Sequence, residues 1–149
     1  MDLTFKCEKG KVNIRVAAWI QDMTGRHLLV SYYPNGYSSL PGGRVQFGED
    51  SLQALQREML EEVGQELMHP RLLAIIENFY ADDGQDVHEW LYIYQGKVSD
   101  EPAAVELVSA DQQIGWYALS DIEALRPLCL TQLVEVVQTN HFVHLVNRE

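Results

Sequence analysis

Basic residues are scarce in this chain. Lysine and arginine number 11 against 22 aspartates and glutamates in 149 residues, a formal net charge of −11. An extended nucleic-acid surface needs clustered Lys and Arg, so this balance argues against one. Cysteine is scarcer still: Cys7 and Cys129 have no CxxC spacing and no nearby histidines. Free thiols in a reducing cytoplasm are expected, rather than a disulfide framework or a zinc site. No apolar run is long enough to span a membrane, and no basic, apolar leader opens the sequence. Repeats, low-complexity tracts and interdomain linkers are also missing. A single domain over residues 1–149 is expected, long enough to enclose a real core.

What is abundant is acid, and it is concentrated. Glu49, Asp50, Glu58, Glu61 and Glu62 fall within fourteen residues. A helix advances about 100° per residue, which puts Glu61 near −60° and Glu62 near +40° of Glu58. Leu52, Leu55, Met59 and Val63 then share a different, apolar face. Asp50 followed by Gln53 resembles a capping box, and Gly64 suits a left-handed stop. Like charges at i, i+3 and i+4 repel each other. Only Arg57 is at hand to neutralise them, so an added cation is the expected partner. A solvated acidic helix face is the plain alternative. Bound metal can bridge acid to phosphate, so net acidity is compatible with a small phosphorylated substrate.

The stretch also has a recognisable spacing: Gly43, five residues, Glu49, seven residues, then Arg57-Glu58-Met59-Leu60-Glu61-Glu62-Val63-Gly64-Gln65. Seven fixed identities at roughly 5–7% usage each match by chance at about 10⁻⁸ per start position. Gly43–Gln65 resembles the Nudix box of the MutT-like Nudix hydrolases. Gln65 is the one departure, at a position where that family prefers an apolar residue. The resemblance is firm from Leu40 to Gln65 and extends more loosely from about Val12 to Leu125. It implies an α/β fold, the Nudix α/β/α sandwich with a mixed β-sheet between helices. It implies metal-dependent hydrolysis of a diphosphate linkage in a nucleoside diphosphate joined to another group X. Glu58, Glu61 and Glu62 are its implied metal ligands, with Gly43 looping beside the metal. Hard oxygen ligands favour Mg²⁺, with Mn²⁺ as a substitute. Arg57 is implied as an orienting partner for Glu49, with a simple i,i+4 pair to Glu61 as the competing reading.

Elsewhere the chain alternates strands and helices. Val12–Ile20 and His27–Tyr33 read as strands joined at Thr24-Gly25. Pro34-Asn35-Gly36 reads as a turn. A short strand enters the loop at Ser39–Gly43, and Arg44–Phe47 reads as a further one. Arg71–Tyr80 and Val87–Gln95 flank a polar loop, Ala81–Asp86. Glu101–Ala104 reads as a surface loop, and Gly115–Leu119 as a strand. Ser120 opens a capped helix that should end before Pro127. Thr131–Asn140 reads as a closing helix, and the residues beyond it carry no motif.

The general base is left open between Glu89, Glu77 and others. Alternation puts Glu89 on one strand face with Val87, Leu91 and Ile93, where an unemployed carboxylate is costly. His88 falls on the other face, as a rim or core residue. His141 and His144 could share a helix face, but two histidines without a third ligand read as surface residues. Tyr32, Tyr33, Tyr37, Phe79 and Tyr80 are candidates to stack a base. The alternatives to an enzyme are a Nudix-fold sensor that binds nucleotide without turnover and an acidic structural domain. Substrate identity and a homodimeric state stay open.

Overall fold

β-branched and aromatic residues in alternating runs build most of this protein. The computed structural model describes all residues except 34, 35, 100–104, 110 and 111, and only the backbone of 105–109. The larger sheet runs β1(Thr4–Cys7), β2(Gly10–Trp19), β7(Gln85–Lys97), β6(Met68–Asp82), β10(Val143–Arg148), with β5(Gly42–Arg44) also paired to β2. It is mixed: β2–β7 and β6–β10 are parallel, and the other pairs antiparallel. A smaller antiparallel sheet has the order β4(Ser38–Ser39), β3(His27–Tyr32), β9(Gln112–Ala118), β8(Val105–Ser109).

Each face of the large sheet is covered by helix. On one face Val16, Ala18 and Ile20 pack with Ala54, Leu55 and Met59 of α1(Ser51–Glu62). On the other, Ala17, Trp19, Ile76, Leu91 and Ile93 pack beneath Leu125, Leu130 and Leu133. Leu125 directly follows a 3-10 turn at Leu119–Ala124, Leu130 lies in a second at Leu128–Gln132, and Leu133 opens the short α2(Leu133–Val136). A mixed sheet between helical layers is the expected α/β/α arrangement.

The helix signals act as read. Gln53 N donates to Asp50 Oδ1 at 2.8 Å, and Asp50 N donates to Gln53 Oε1 at 2.9 Å. Gly64, at φ 81, supplies the left-handed exit. Val87, Glu89, Leu91 and Ile93 are buried together, as alternation requires.

Several expectations are corrected. The Ala81–Asp86 loop is a two-residue turn: strands run to Asp82 and from Gln85, and Asp83 and Gly84 have φ 50 and 75. Asp-Gly favours such turns because both residues tolerate positive φ. The strand placed at Arg44–Phe47 lies instead at Gly42–Arg44, where it pairs with β2. Ser120 caps nothing: the segment is a 3-10 turn without a side-chain cap. The Thr131–Asn140 helix shrinks to Leu133–Val136. Val134, Val136 and Val137 are β-branched and lower helix propensity, and one turn gains little from cooperativity. His141 and His144 share no helix face, because β10 occupies Val143–Arg148. Pro34, Asn35 and Glu101–Ala104 lie outside the described residues.

Candidate active site

Two glycines set the distance between α1 and the sheet. A side chain on Gly43 would collide with the Glu58 carboxylate, and one on Gly42 with the backbone of Val16. Their absence lets β5 lie directly against the acidic face of α1. Gly42 N donates to Glu62 Oε2 at 2.9 Å. Gln112, reaching across from β9, donates to Glu62 Oε1 at 2.7 Å. Burial first, and then the Glu58 charge against these two hydrogen bonds, pushes the Glu62 carboxyl up to about 7. Burial likewise raises Glu58, against the pull of Arg57.

Arg57 is the local hub. It donates to both oxygens of Glu49 at 2.9 Å, to Glu58 Oε1 at 2.9 Å and to the Arg44 carbonyl at 3.0 Å. Its contact with Glu61 is longer, 3.6 Å, and the Glu61 side chain is 59% exposed. Bidentate geometry favours the Glu49 pair over the i,i+4 pair. The Arg57 hydrogen bonds hold the Glu49 carboxyl below its usual range. They also push Arg57 further up. One guanidinium therefore serves three carboxylates, and among the described residues Glu62 has no ion-pair partner.

The opposite face of the sheet carries a second polar assembly. Strand register aligns Thr4, Asn13, Glu89, Asn78 and Asn147 in one row across β1, β2, β7, β6 and β10. Asn13, Glu89, Asn78 and Asn147 are all buried. Asn147 Nδ2 donates to Asn78 Oδ1 at 2.8 Å, and Asn78 Nδ2 donates to Glu89 Oε1 at 3.3 Å. The Tyr80 hydroxyl donates to Glu89 Oε2 at 3.4 Å. Burial first and the Glu89 charge second raise the Tyr80 hydroxyl well above its ordinary range. Beside this row stands Arg15, whose Nε is enclosed without a hydrogen-bond partner. Burial opposes its charge, but Glu89 and nearby tyrosines hold its pKa raised.

A family model described as the NUDIX domain matches residues 11–133. The chain belongs to the Nudix family. Solved structures agree on the fold. A MutT protein from Bacillus halodurans is 19% identical, with a TM-score of 0.69 over 89% of this chain and 86% of its own. A MutT NUDIX hydrolase from Burkholderia pseudomallei is 27% identical, with a TM-score of 0.64 over 85% and 98%. The NUDIX domain of Shewanella oneidensis NrtR, solved with ADP ribose, is 19% identical, with a TM-score of 0.64 over 90% and 88%. No curated protein matches. The family is one of Nudix-type pyrophosphohydrolases.

The Nudix-box residues thus meet at one place: Glu49, Arg57, Glu58, Glu61 and Glu62 around Gly42 and Gly43. Among the described residues, no three His, Cys, Asp or Glu side chains stand ready as a metal cage. Arg57 bonds Glu58 Oε1 at 2.9 Å and lies 3.6 Å from Glu61. The donor chemistry still fits a hard divalent cation: crowded carboxylates, short of positive partners, against a backbone loop with no side chain in the way. Glu89 lies on the other face of the sheet from α1. Glu77 is on the α1 side of the sheet and contacts His144 Nε2 at 2.7 Å. Phe79 packs between His88, with ring centroids 4.4 Å apart, and the Arg148 guanidinium, 4.2 Å from its centroid. Tyr33 and Tyr37 pack together at 5.9 Å. Tyr32 contacts Tyr117 and the Trp116 carbonyl.

Sequence reasoning missed Gln112 and Arg15. Gln112 carried no signal, because its link to Glu62 spans fifty positions. Arg15 did carry one: Lys11, Asn13 and Arg15 alternate along β2 and mark a polar half-face. Gln65 is matched by a polar neighbour, accepting from Ser99 Oγ at 2.9 Å. Leu67 supplies the buried contact at the helix exit, held through both its backbone groups by Gln56.

Proposed function

We propose that this protein hydrolyses the diphosphate linkage of a nucleoside diphosphate joined to a further group X. The observation carrying this reading is the pairing of Glu58 and Glu62, two half-buried carboxylates on one helix face, against the Gly42-Gly43 loop. Glu58, Glu61, Glu62 and the Gly43 backbone would hold a divalent cation, Mg²⁺ or its substitute Mn²⁺. When bound, it neutralises phosphate oxygens, orients the substrate and acidifies water. Gly42 N and Gln112 hold the two oxygens of Glu62 in place. Arg57 orients Glu49 and shares Glu58.

In the reaction a water oxygen forms a bond to phosphorus and the bridging P–O bond breaks. The bridging oxygen leaves with the electron pair. The products are a nucleotide and phosphorylated X, or a monophosphate and pyrophosphate. The acceptor of the water proton is either Glu89, buried and oriented by Asn78 and Tyr80 on the face away from α1, or Glu77, on the α1 face and paired with His144. ADP ribose, the ligand of the NrtR domain, contains such a diphosphate. Exposed Cys7 and buried Cys129 are both free thiols, as a cytoplasmic setting allows.

The test is a panel of nucleoside triphosphates, nucleotide sugars, ADP ribose and dinucleotides, incubated with Mg²⁺ and resolved by mass. Metal-dependent cleavage at a diphosphate supports the reading. Tight nucleotide binding without cleavage of any compound would make the protein a sensor instead.

A further inference from the structure

A cavity of about 280 Å³ opens on the sheet face opposite α1. Lys11, Arg15 and Arg44 bring three cations into it, and Tyr33, Tyr37 and Tyr80 form its aromatic wall. In a chain of net charge −11 such a grouping is against the overall balance. Arg15 and Arg44 are direct register partners across β2 and β5. Like charges placed opposite each other destabilise a strand pair unless something lies between them. The protein's own acids do this only in part: Glu89 helps to keep Arg15 charged. Lys11 reaches Asp82 only at 4.0 Å, and Arg44 reaches Asp2 only at 3.8 Å. Arg15 Nε is enclosed and makes no hydrogen bond among the described residues. A buried donor left unpaired is unfavourable, and a bound acceptor would satisfy it.

The cavity also adjoins the acidic site. Arg44, the register partner of Arg15, follows Gly43 in β5 and accepts from Arg57 of α1 through its carbonyl at 3.0 Å. An anion held at Arg15 would therefore continue from a linkage held at α1.

We infer that Arg15, Arg44 and Lys11 form a phosphate-receiving subsite for a non-reacting phosphate of the substrate, walled by Tyr33, Tyr37 and Tyr80. This deepens the proposed function and rests on it for the word substrate, but the anion site itself does not need turnover. Arg15 is suited to the task because its planar guanidinium can present two donors to one phosphate. Asp82 at the rim sets a limit on how much negative charge the cavity accepts.

The experiment uses the full chain in EDTA at low ionic strength, with inorganic pyrophosphate as the probe, followed by calorimetric titration. Saturable binding is expected for the wild type. Arg15→Gln and Arg44→Gln should each weaken it tenfold or more, while Lys97→Gln, the same charge change at the far end of β7, should not. If Arg15→Gln fails to fold, Arg44→Gln decides alone. Absence of wild-type binding would overturn the subsite, as would equal weakening by Lys97→Gln or unchanged binding in the Arg44 variant. Because no metal is present, pyrophosphate binding without any nucleotide hydrolysis counts against the proposed function only. Hydrolysis without this binding counts against the subsite only.

Discussion

On the α1 face of the large sheet, half-buried charge is crowded and incompletely answered. Glu58 and Glu62 lie side by side, and both are pushed toward protonation by burial. On the opposite face, Glu89 is more enclosed still but stands in a ladder of amides, Asn13, Asn78 and Asn147, with Tyr80 at its end. The first arrangement is poor as structure and suited to a cation that arrives from outside. The second is self-consistent as structure and keeps a carboxylate fixed in one orientation. Enclosure alone therefore says little about a carboxylate's task; the count of donors around it says more.

The largest effect that would sharpen this contrast is Glu62→Gln. If Glu62 holds the cation, turnover should fall by roughly 10²–10³-fold, a few kcal/mol of barrier. The metal-free protein should melt at the same or a higher temperature, since one of several crowded like charges is gone. Glu66→Gln is the control: it is exposed, lies beyond Gly64 and should change neither quantity. Equal loss in both variants would remove the distinction between Glu62 and ordinary surface acid.

The two glycines allow a second comparison. In Gly42→Ala the new methyl meets the backbone of β2, so folding should suffer most. In Gly43→Ala it meets the movable end of Glu58, so activity should fall tenfold or more while the melting temperature drops less. Measured melting curves and initial rates separate the two. The reverse pattern would mean that Glu58 is not free to move.

On the amide side, Asn78→Ala leaves Glu89 with Tyr80 alone and Asn147 without its acceptor. Denaturant titration should show a loss of about 1–3 kcal/mol. A negligible change would mean that water replaces the ladder freely.

How far these faces could be read beforehand follows from where their partners sit. The α1 site is written within Gly43–Gln65: the cap at Asp50 and Gln53, the exit at Gly64 and the i, i+3, i+4 acids are all local. The ladder is assembled by register between β1, β2, β7, β6 and β10, whose residues are far apart in sequence. Glu89 was legible there only because alternation isolates one carboxylate on an aliphatic face. β10 escaped because its parallel pairing with β6 depends on the fold that brings it back. Val134, Val136 and Val137 have helical spacing but β-branched side chains, and pattern alone overestimated the helix.

A smaller effect concerns pH in the absence of metal. The folded Glu62 carboxyl lies at about 7 against an ordinary 4.5. Between those values the folded protein keeps a proton that the unfolded chain has released. Stability should therefore decline as pH rises across that window, with the full penalty present above it. Glu62→Gln should flatten this part of the profile; an unchanged slope would assign it to another group. The smallest expected effect is Gln65→Val. It loses the Ser99 contact and restores an apolar residue, so stability should move by no more than about 1 kcal/mol. Turnover should be nearly unchanged, and a tenfold drop would place Gln65 in the site.

The most direct test of the cation reading is a Mg²⁺ titration of the melting temperature, run on the wild type and on Glu62→Gln in parallel with turnover. Binding to the native state alone stabilises by about 2.7 kcal/mol at a hundredfold excess over the dissociation constant. The expected result is a saturable rise in the wild type, a much weaker one in Glu62→Gln, and no turnover in excess EDTA. Identical titration curves for the two proteins, or full activity in EDTA, would contradict the account.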